Sequence, residues 1–267
     1  KPEDAFALVQ RDGKQYNPFY LYNIIPHAVV EKGRVFTAHQ DGEGRPIVNA
    51  YDIENQSWLG PVRASNFGLG ADNHGAPSIL IDSRGHLHLF FGCHGGPMKH
   101  VRSVRPYNIS RWREMPDPAE RATYPETMRM ADGRLFLFYR AGGHVQPWSL
   151  RISANDGFTW SRPRPIVELR RDPPDPLAAA YCSFLPGADG RTVHCFFVHK
   201  DDNAPRVPDL PHPWRPLRFP GMSEGIYRYN VYYIFLESDG IWRTADGTAF
   251  TPPIGKALAD RHALVYD

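Results

Sequence analysis

Two histidines, a tyrosine and an arginine occupy positions from which they could share one reaction. The segment Asp72-Asn-His-Gly-Ala-Pro77 precedes a strand-like run, and Gly92-Cys-His-Gly-Gly-Pro97 follows its hairpin partner. Strands joined by a tight turn bring their far ends together, so His74 and His94, 20 residues apart, should lie side by side. Gly75, Gly92, Gly95 and Gly96 keep the surroundings small enough for a bulky ligand to approach. The next repeat has Thr123-Tyr-Pro-Glu126 entering its first strand and Phe138-Tyr-Arg-Ala-Gly-Gly143 leaving its second. Tyr124 and Arg140, 16 residues apart, should then meet at the same end of the neighbouring unit.

This set suits β-elimination from a uronic-acid polysaccharide. That reaction needs a cation on the carboxylate, a base for the C5 proton and an acid for the departing glycosidic oxygen. Arginine supplies a permanent bidentate charge. Histidine titrates near neutrality and can act as the base. Tyrosine, with an ordinary pKa of about 10, can deliver a proton while staying mostly neutral. Asn73, Tyr139 and His144, within or beside these segments, and Arg170 and Arg171 further along the chain are candidate substrate contacts. Each of the four central side chains also has a structural reading: a hairpin-end histidine on a backbone carbonyl, a packed aromatic, a salt-bridge donor.

Two other function classes stay open. A sialidase-type glycoside hydrolase needs several arginines, a tyrosine nucleophile and a separate acid. Glu126 near Tyr124 keeps that class alive, although paired histidines do not suit it. A non-catalytic glycan-binding propeller is the second alternative. No phosphate loop, nucleotide fingerprint or nucleophile elbow is present.

The elements that must position these residues recur along the chain. A turn glycine followed by alternating apolar and aromatic residues appears at Gly33, Gly85, Gly133 and Gly190, spaced 52, 48 and 57 residues apart. A looser fifth copy, Arg228-Tyr-Asn-Val-Tyr-Tyr-Ile-Phe-Leu236, has its turn at Ser238-Asp-Gly240. One hairpin every ~50 residues, with space for two more strands, is the period of propeller blades. The expected fold is therefore an all-β propeller of four-stranded blades. About five blades fit residues 1–267 as one domain, either as a complete ring or as part of a longer one of seven. The Pro- and Arg-rich stretches 171–177 and 203–220 read as long loops on that domain.

Ser153-Ala-Asn-Asp-Gly-Phe-Thr-Trp160 resembles the Asp-box of sialidase-type propellers, a hairpin turn with its Trp packed beneath, and Arg243-Thr-Ala-Asp-Gly-Thr-Ala-Phe250 is a weaker echo. With Asp72-Asn-His-Gly-Ala-Pro-Ser-Ile-Leu-Ile-Asp82, Thr123-Tyr-Pro-Glu126, Leu137-Phe-Tyr-Arg140 and Arg228-Tyr-Asn-Val-Tyr-Tyr233, the chain resembles the BNR-4 repeat propellers from about Val30 to Ile254. That family includes polysaccharide lyases of the ulvan-lyase type, seven-bladed enzymes acting on a sulfated polysaccharide. The resemblance implies that His74 is the base or shares proton transfer with Tyr124. It implies that His94 and Arg140 hold and neutralise the uronate carboxylate.

Composition bounds the partners. With 31 basic and 29 acidic side chains the overall field is weak, which argues against a nucleic-acid binder with a basic face. No apolar run reaches the ~18–20 residues that span a bilayer. The expected partner is an acidic, sulfated polysaccharide met by a monomer, with no nucleic acid and no membrane. The start, Lys1-Pro2-Glu3-Asp4, is not a signal peptide, and a processed secreted chain looks the same, so the expected location is secreted or periplasmic. Three cysteines, Cys93, Cys182 and Cys195, do not form a disulfide framework. No cofactor is required for the chemistry. Cys195, His199 and His212 are candidate ligands of a structural zinc or calcium ion, against the plainer reading of a core cysteine and surface histidines.

Overall fold

The computed structural model describes residues 10–11, 14–15, 27–70, 72–171, 178–201 and 227–266. A short ladder pairs β1 (Gln10–Arg11) with β2 (Lys14–Gln15). The first four-stranded sheet follows as β3 (Ala28–Glu31), β4 (Arg34–Gln40), β5 (Pro46–Asp52) and β6 (Ser57–Arg63), in sequential order. Its opening hairpin closes through Lys32 and Gly33, both with positive φ (52° and 70°), which is what a two-residue type I′ turn demands.

The second unit is β7 (Ser78–Ile81), β8 (Leu87–Phe91), β9 (His94–Ser103) and β10 (Trp112–Glu114). The third is β11 (Ala119–Arg129), β12 (Leu135–Arg140), β13 (Trp148–Ser153) and β14 (Arg164–Val167). Strands β9 and β11 also pair at Thr123↔His94, so these two units form one eight-stranded sheet. The fourth contains β15 (Ala178–Pro186), β16 (Val193–Asp201), β17 (Tyr227–Leu236) and β18 (Trp242–Thr244), extended by β19 (Ala249–Phe250). A last strand, β20 (Leu264–Tyr266), pairs with β17.

The architecture is the expected all-β one, and one feature of the repeat resolves differently. Residues 228–236, read as a fifth unit, pair with β16 over Val193↔Leu236 to Asp201↔Tyr227. They supply the third strand of the fourth sheet. The 50-residue interval from Gly190 to Gly240 arises from a long connection inside that sheet, because each four-stranded unit contains more than one hairpin.

Three apolar layers lie between successive units. Phe36, Ala38 and Val48 meet Ile79, Leu89 and Phe91 between the first and second. Leu80, Phe90 and Met98 meet Leu135, Leu137 and Tyr139 between the second and third. Phe136, Phe138 and Trp148 meet Ala180, Phe184 and Phe197 between the third and fourth, where Phe138 stacks on Phe184 at 3.9 Å and 9°. Strand β12 is buried throughout because its alternate residues feed two different layers.

The Asp-box folds as its sequence predicts. Ser153 Oγ donates to Asn155 Oδ1 at 3.0 Å and accepts from Gly157 N at 2.9 Å. Thr159 N donates to Asn155 Oδ1 at 3.0 Å, so an amide oxygen fills the usual carboxylate's place. Gly157 has φ +77°, and a Cβ there would lie 2.9 Å from His100, so both conformation and space require glycine. Trp160 meets Phe90 edge-on at 5.7 Å and 83°. Asp156 reaches Ser83 and Arg84, which ties the box to the second unit.

Candidate active site

The site begins at a single tight turn. Asp72, in extended conformation, caps the 3-10 turn Asn73–Gly75 by accepting the backbone N–H of His74 at 3.0 Å. Gln40 of β4 donates to Asp72 O and Asn73 Oδ1 at 3.3 and 3.4 Å, which anchors the turn to the first sheet. Gly92 N donates to Gly75 O at 3.0 Å and joins the ends of β7 and β8. A Cβ on Gly92, at φ +67°, would strike Phe67 at 2.7 Å, so glycine is required there too.

These constraints bring His74 and His94 face to face. Their ring centroids are 3.7 Å apart and their planes 7° from parallel. Asp72 serves both rings: Oδ1 lies 2.6 Å from His74 Nδ1, and Oδ2 lies 2.7 Å from His94 Nδ1. Burial raises the Asp72 pKa, but the hydrogen bonds from His74 and His94 outweigh it and hold it below the usual carboxylate range. An ionised carboxylate only accepts, so both Nδ1 atoms carry protons. Burial lowers the pKa of His74, the Asp72 bond raises it, and His94 and Arg140 lower it further, with a net downward shift. His74 is therefore neutral, and basic at Nε2, at neutral pH. Its side chain is 24% exposed and that of His94 37%, so both open to solvent.

Behind the imidazoles stands the third unit. Thr123 pairs with His94 on one side and with Arg140 on the other. Its Oγ1 accepts from Gly95 N at 2.9 Å and donates to Gly142 O at 3.0 Å. The register then breaks between Thr123 and Glu126, and Tyr124 adopts φ +60°. A non-glycine residue in the left-handed region at a bulge re-aims its side chain, a cost that clusters at functional sites. The Tyr124 ring lies 5.3 Å from that of His74. Arg140 sits over the Tyr124 ring at 4.7 Å. Both side chains have no exposed surface, and the Arg140 Nη1 and Nη2 atoms have no hydrogen-bond partner among the described residues.

The fourth unit contributes Tyr181, whose hydroxyl is 3.3 Å from that of Tyr124. Three cations surround the Tyr181 ring: Lys200 at 4.6 Å, Arg228 at 4.7 Å and Arg140 at 5.7 Å. Burial raises the Tyr181 pKa, but the bond from Tyr124 and the charges of Lys200 and Arg140 bring it below the ordinary phenol value. Lys200 Nζ also donates to His144 Nδ1 at 2.8 Å.

Residues 14–265 match the family described as "BNR repeat-containing family member". The chain belongs to this family. The BNR-repeat chain is 26% identical over 265 residues to an ulvan lyase of Alteromonas sp. (strain LOR), covering 90% of this chain and 52% of that protein. An ulvan lyase of Nonlabens ulvanivorans is likewise 26% identical, over 272 residues, with 90% and 54% covered. The BNR-repeat chain thus spans about half the length of these curated relatives. A solved structure of a polysaccharide lyase PL25 ulvan lyase bound to -[GlcA(1-4)Rha3S]- superposes with TM-score 0.75 at 23% identity, covering 93% of this chain and 59% of that one. That likeness is one of fold, a β-propeller of four-stranded blades.

The remaining candidate residues of the BNR-repeat chain fall in several places. His144 joins the site through Lys200, and Asn73 lies within the capped turn. Tyr139 follows the strand alternation to the face opposite Arg140, into the layer with Leu80, Phe90 and Cys93. Arg170 pairs with Glu168 at 3.5 Å. Arg171 ends the turn Leu169–Arg171, and its side chain lies outside the described residues. Glu126 is buried, accepts Phe184 N at 2.7 Å, and burial pushes its carboxyl well above the usual range. That acid ties β11 to β15 of the fourth unit.

Of the candidate metal ligands, Cys195 and His199 are buried on β16, and His212 lies outside the described residues. Burial raises the Cys195 thiol pKa. Among the described residues, the donors that converge within 4.8 Å are those of Asp72, His74 and His94. Both Nδ1 atoms donate to Asp72, so a cation held there would have to displace those protons. No helix among the described residues is long and apolar enough to cross a membrane.

Sequence reasoning missed Asp72, Tyr181, Lys200 and Arg228. The signal for Asp72 was present, since an Asp two residues before His74 is placed to cap the turn that carries it.

Proposed function

We propose that this protein is a polysaccharide lyase that cleaves an acidic, uronate-containing, ulvan-like polysaccharide by β-elimination. The observation that carries the reading is the convergence of the Asp72-bound imidazole pair with Tyr124 and Arg140 from the next unit. His74 Nε2 takes the C5 proton of the uronate. The electrons of that C–H bond form the C4=C5 double bond, and the C4–O bond breaks. The leaving oxygen receives a proton from the Tyr124 hydroxyl, so one proton is gained by the base and one lost by the acid. Arg140 and His94 stabilise the negative charge that develops on the carboxylate. Tyr124 and Arg140 are buried, so a sugar reaches them only when what covers them is displaced.

The same reading makes residues 1–267 all or part of one propeller domain that acts as a monomer, outside the cytoplasm, with no cofactor in the elimination. The similarity to two ulvan lyases over 90% of this chain supports the substrate class. The test is incubation with ulvan and other uronate polymers while ultraviolet absorbance from new carbon–carbon double bonds is followed. A signal lost in His74→Ala and Tyr124→Phe supports the lyase. Saturated products would point to a hydrolase, and binding without turnover to a lectin-like role.

A further inference from the structure

We infer that Asp72 is a positioning residue: one carboxylate that fixes a proton on Nδ1 of both His74 and His94 and leaves Nε2 as the basic nitrogen of His74. The inference rests on the reading of this site as one that moves protons on a uronate, and adds a residue that carries none itself.

Three observations converge on it. Each oxygen of Asp72 is assigned to a different ring, at 2.6 Å for His74 and 2.7 Å for His94. A carboxylate cannot donate, so neither ring can turn its Nδ1 lone pair toward it. The rings are stacked at 3.7 Å and 7°, so each restricts rotation of the other and the pair is held as a unit. The anion also lies beside whichever ring receives the proton, and so stabilises the imidazolium that forms.

Asp72 has a second task, since Oδ1 accepts the backbone N–H of His74 at 3.0 Å and caps the turn. Asn performs that task about as well as Asp. It cannot perform the first. An amide offers one acceptor oxygen and one NH2 group, and the ring that meets the NH2 must accept at Nδ1 and carry its proton on Nε2. Asp72→Asn therefore separates capping from tautomer control.

The test is 15N NMR of histidine-labelled wild type and Asp72→Asn, with turnover on ulvan measured against pH. In the wild type both rings should show protonated Nδ1, and His74 an unprotonated Nε2. In Asp72→Asn the amide oxygen keeps the cap and His74, so His94 should invert while thermal unfolding stays close to wild type. Turnover should fall about 10²-fold or more, because His74 loses the anion that stabilises its imidazolium. KM should change by less than about threefold, as expected for a group acting on the transition state. The acid limb of kcat/KM should move to lower pH, because Asp72 raises the pKa of His74. A wild-type ring found without a proton on Nδ1, or a variant with unchanged tautomers and an unchanged limb, overturns the inference. If no uronate polymer is cleaved even by wild type, the lyase reading fails, and the spectra still decide the tautomers.

Discussion

The rings of His74 and His94 lie 3.7 Å apart and 7° from parallel, and both donate to one carboxylate. Two imidazolium cations at that distance repel strongly, whereas one is compensated by Asp72. His94 accordingly lowers the pKa of His74. His94→Phe keeps a stacked ring and removes the imidazole. His74 should then titrate at higher pH than in wild type, followed by its NMR shifts. An unchanged or lower value would show that the stacked pair is not electrostatically coupled.

Tyr124→Phe removes one hydroxyl from a buried ring. Its bond to Tyr181 is long, at 3.3 Å, so the stability loss should be about 1 kcal/mol or less. Turnover should fall about 10²- to 10⁴-fold, as for loss of a general acid. Tyr181 provides a second readout. Its pKa is depressed in part by the bond from Tyr124, so its phenolate should appear at higher pH in the variant by ultraviolet titration.

The imidazole pair was readable because a hairpin fixes which residues share an end, and His74 and His94 bracket one hairpin. Tyr124 and Arg140 were readable by the same rule one unit later. Tyr139 lies on the opposite face from Arg140, as a period of two requires. Tyr181, Lys200 and Arg228 were not legible. They arrive from the fourth sheet through packing between units, which no local spacing encodes. The fourth sheet was also miscounted, because its long internal connection imitates one repeat length.

A buried polar chain in the second unit makes stability pH-dependent. His88 Nδ1 lies 2.8 Å from His100 Nε2, and His88 Nε2 lies 3.1 Å from Asp82 Oδ2, which also accepts from Arg102 at 2.7 Å. Burial lowers the pKa of both histidines. The unfolded chain therefore binds protons first as pH falls through about 6.5, and stability present above that pH is lost below it. Each histidine contributes at most about 1.4 kcal/mol per pH unit in that window. Thermal unfolding should shift downward from pH 7 to pH 5. His100 stacks on Phe90 at 4.3 Å and 15°, so His100→Phe keeps the stack and should give a shallower pH slope. An equal slope would assign the acid sensitivity elsewhere.

Arg140 is the residue for which stability and function should oppose each other. It has no exposed surface, and neither Nη atom has a hydrogen-bond partner among the described residues. A buried polar group without a partner costs about 1–3 kcal/mol, and more when charged. The Tyr124 and Tyr181 faces at 4.7 and 5.7 Å return only part of that cost. Methionine retains the length and the contact with both rings but carries no charge. Arg140→Met should raise the melting temperature by about 3 °C or more, and turnover on a uronate polymer should collapse. The opposite pattern, a destabilised protein with turnover intact, would mean that the guanidinium serves the fold and meets no substrate.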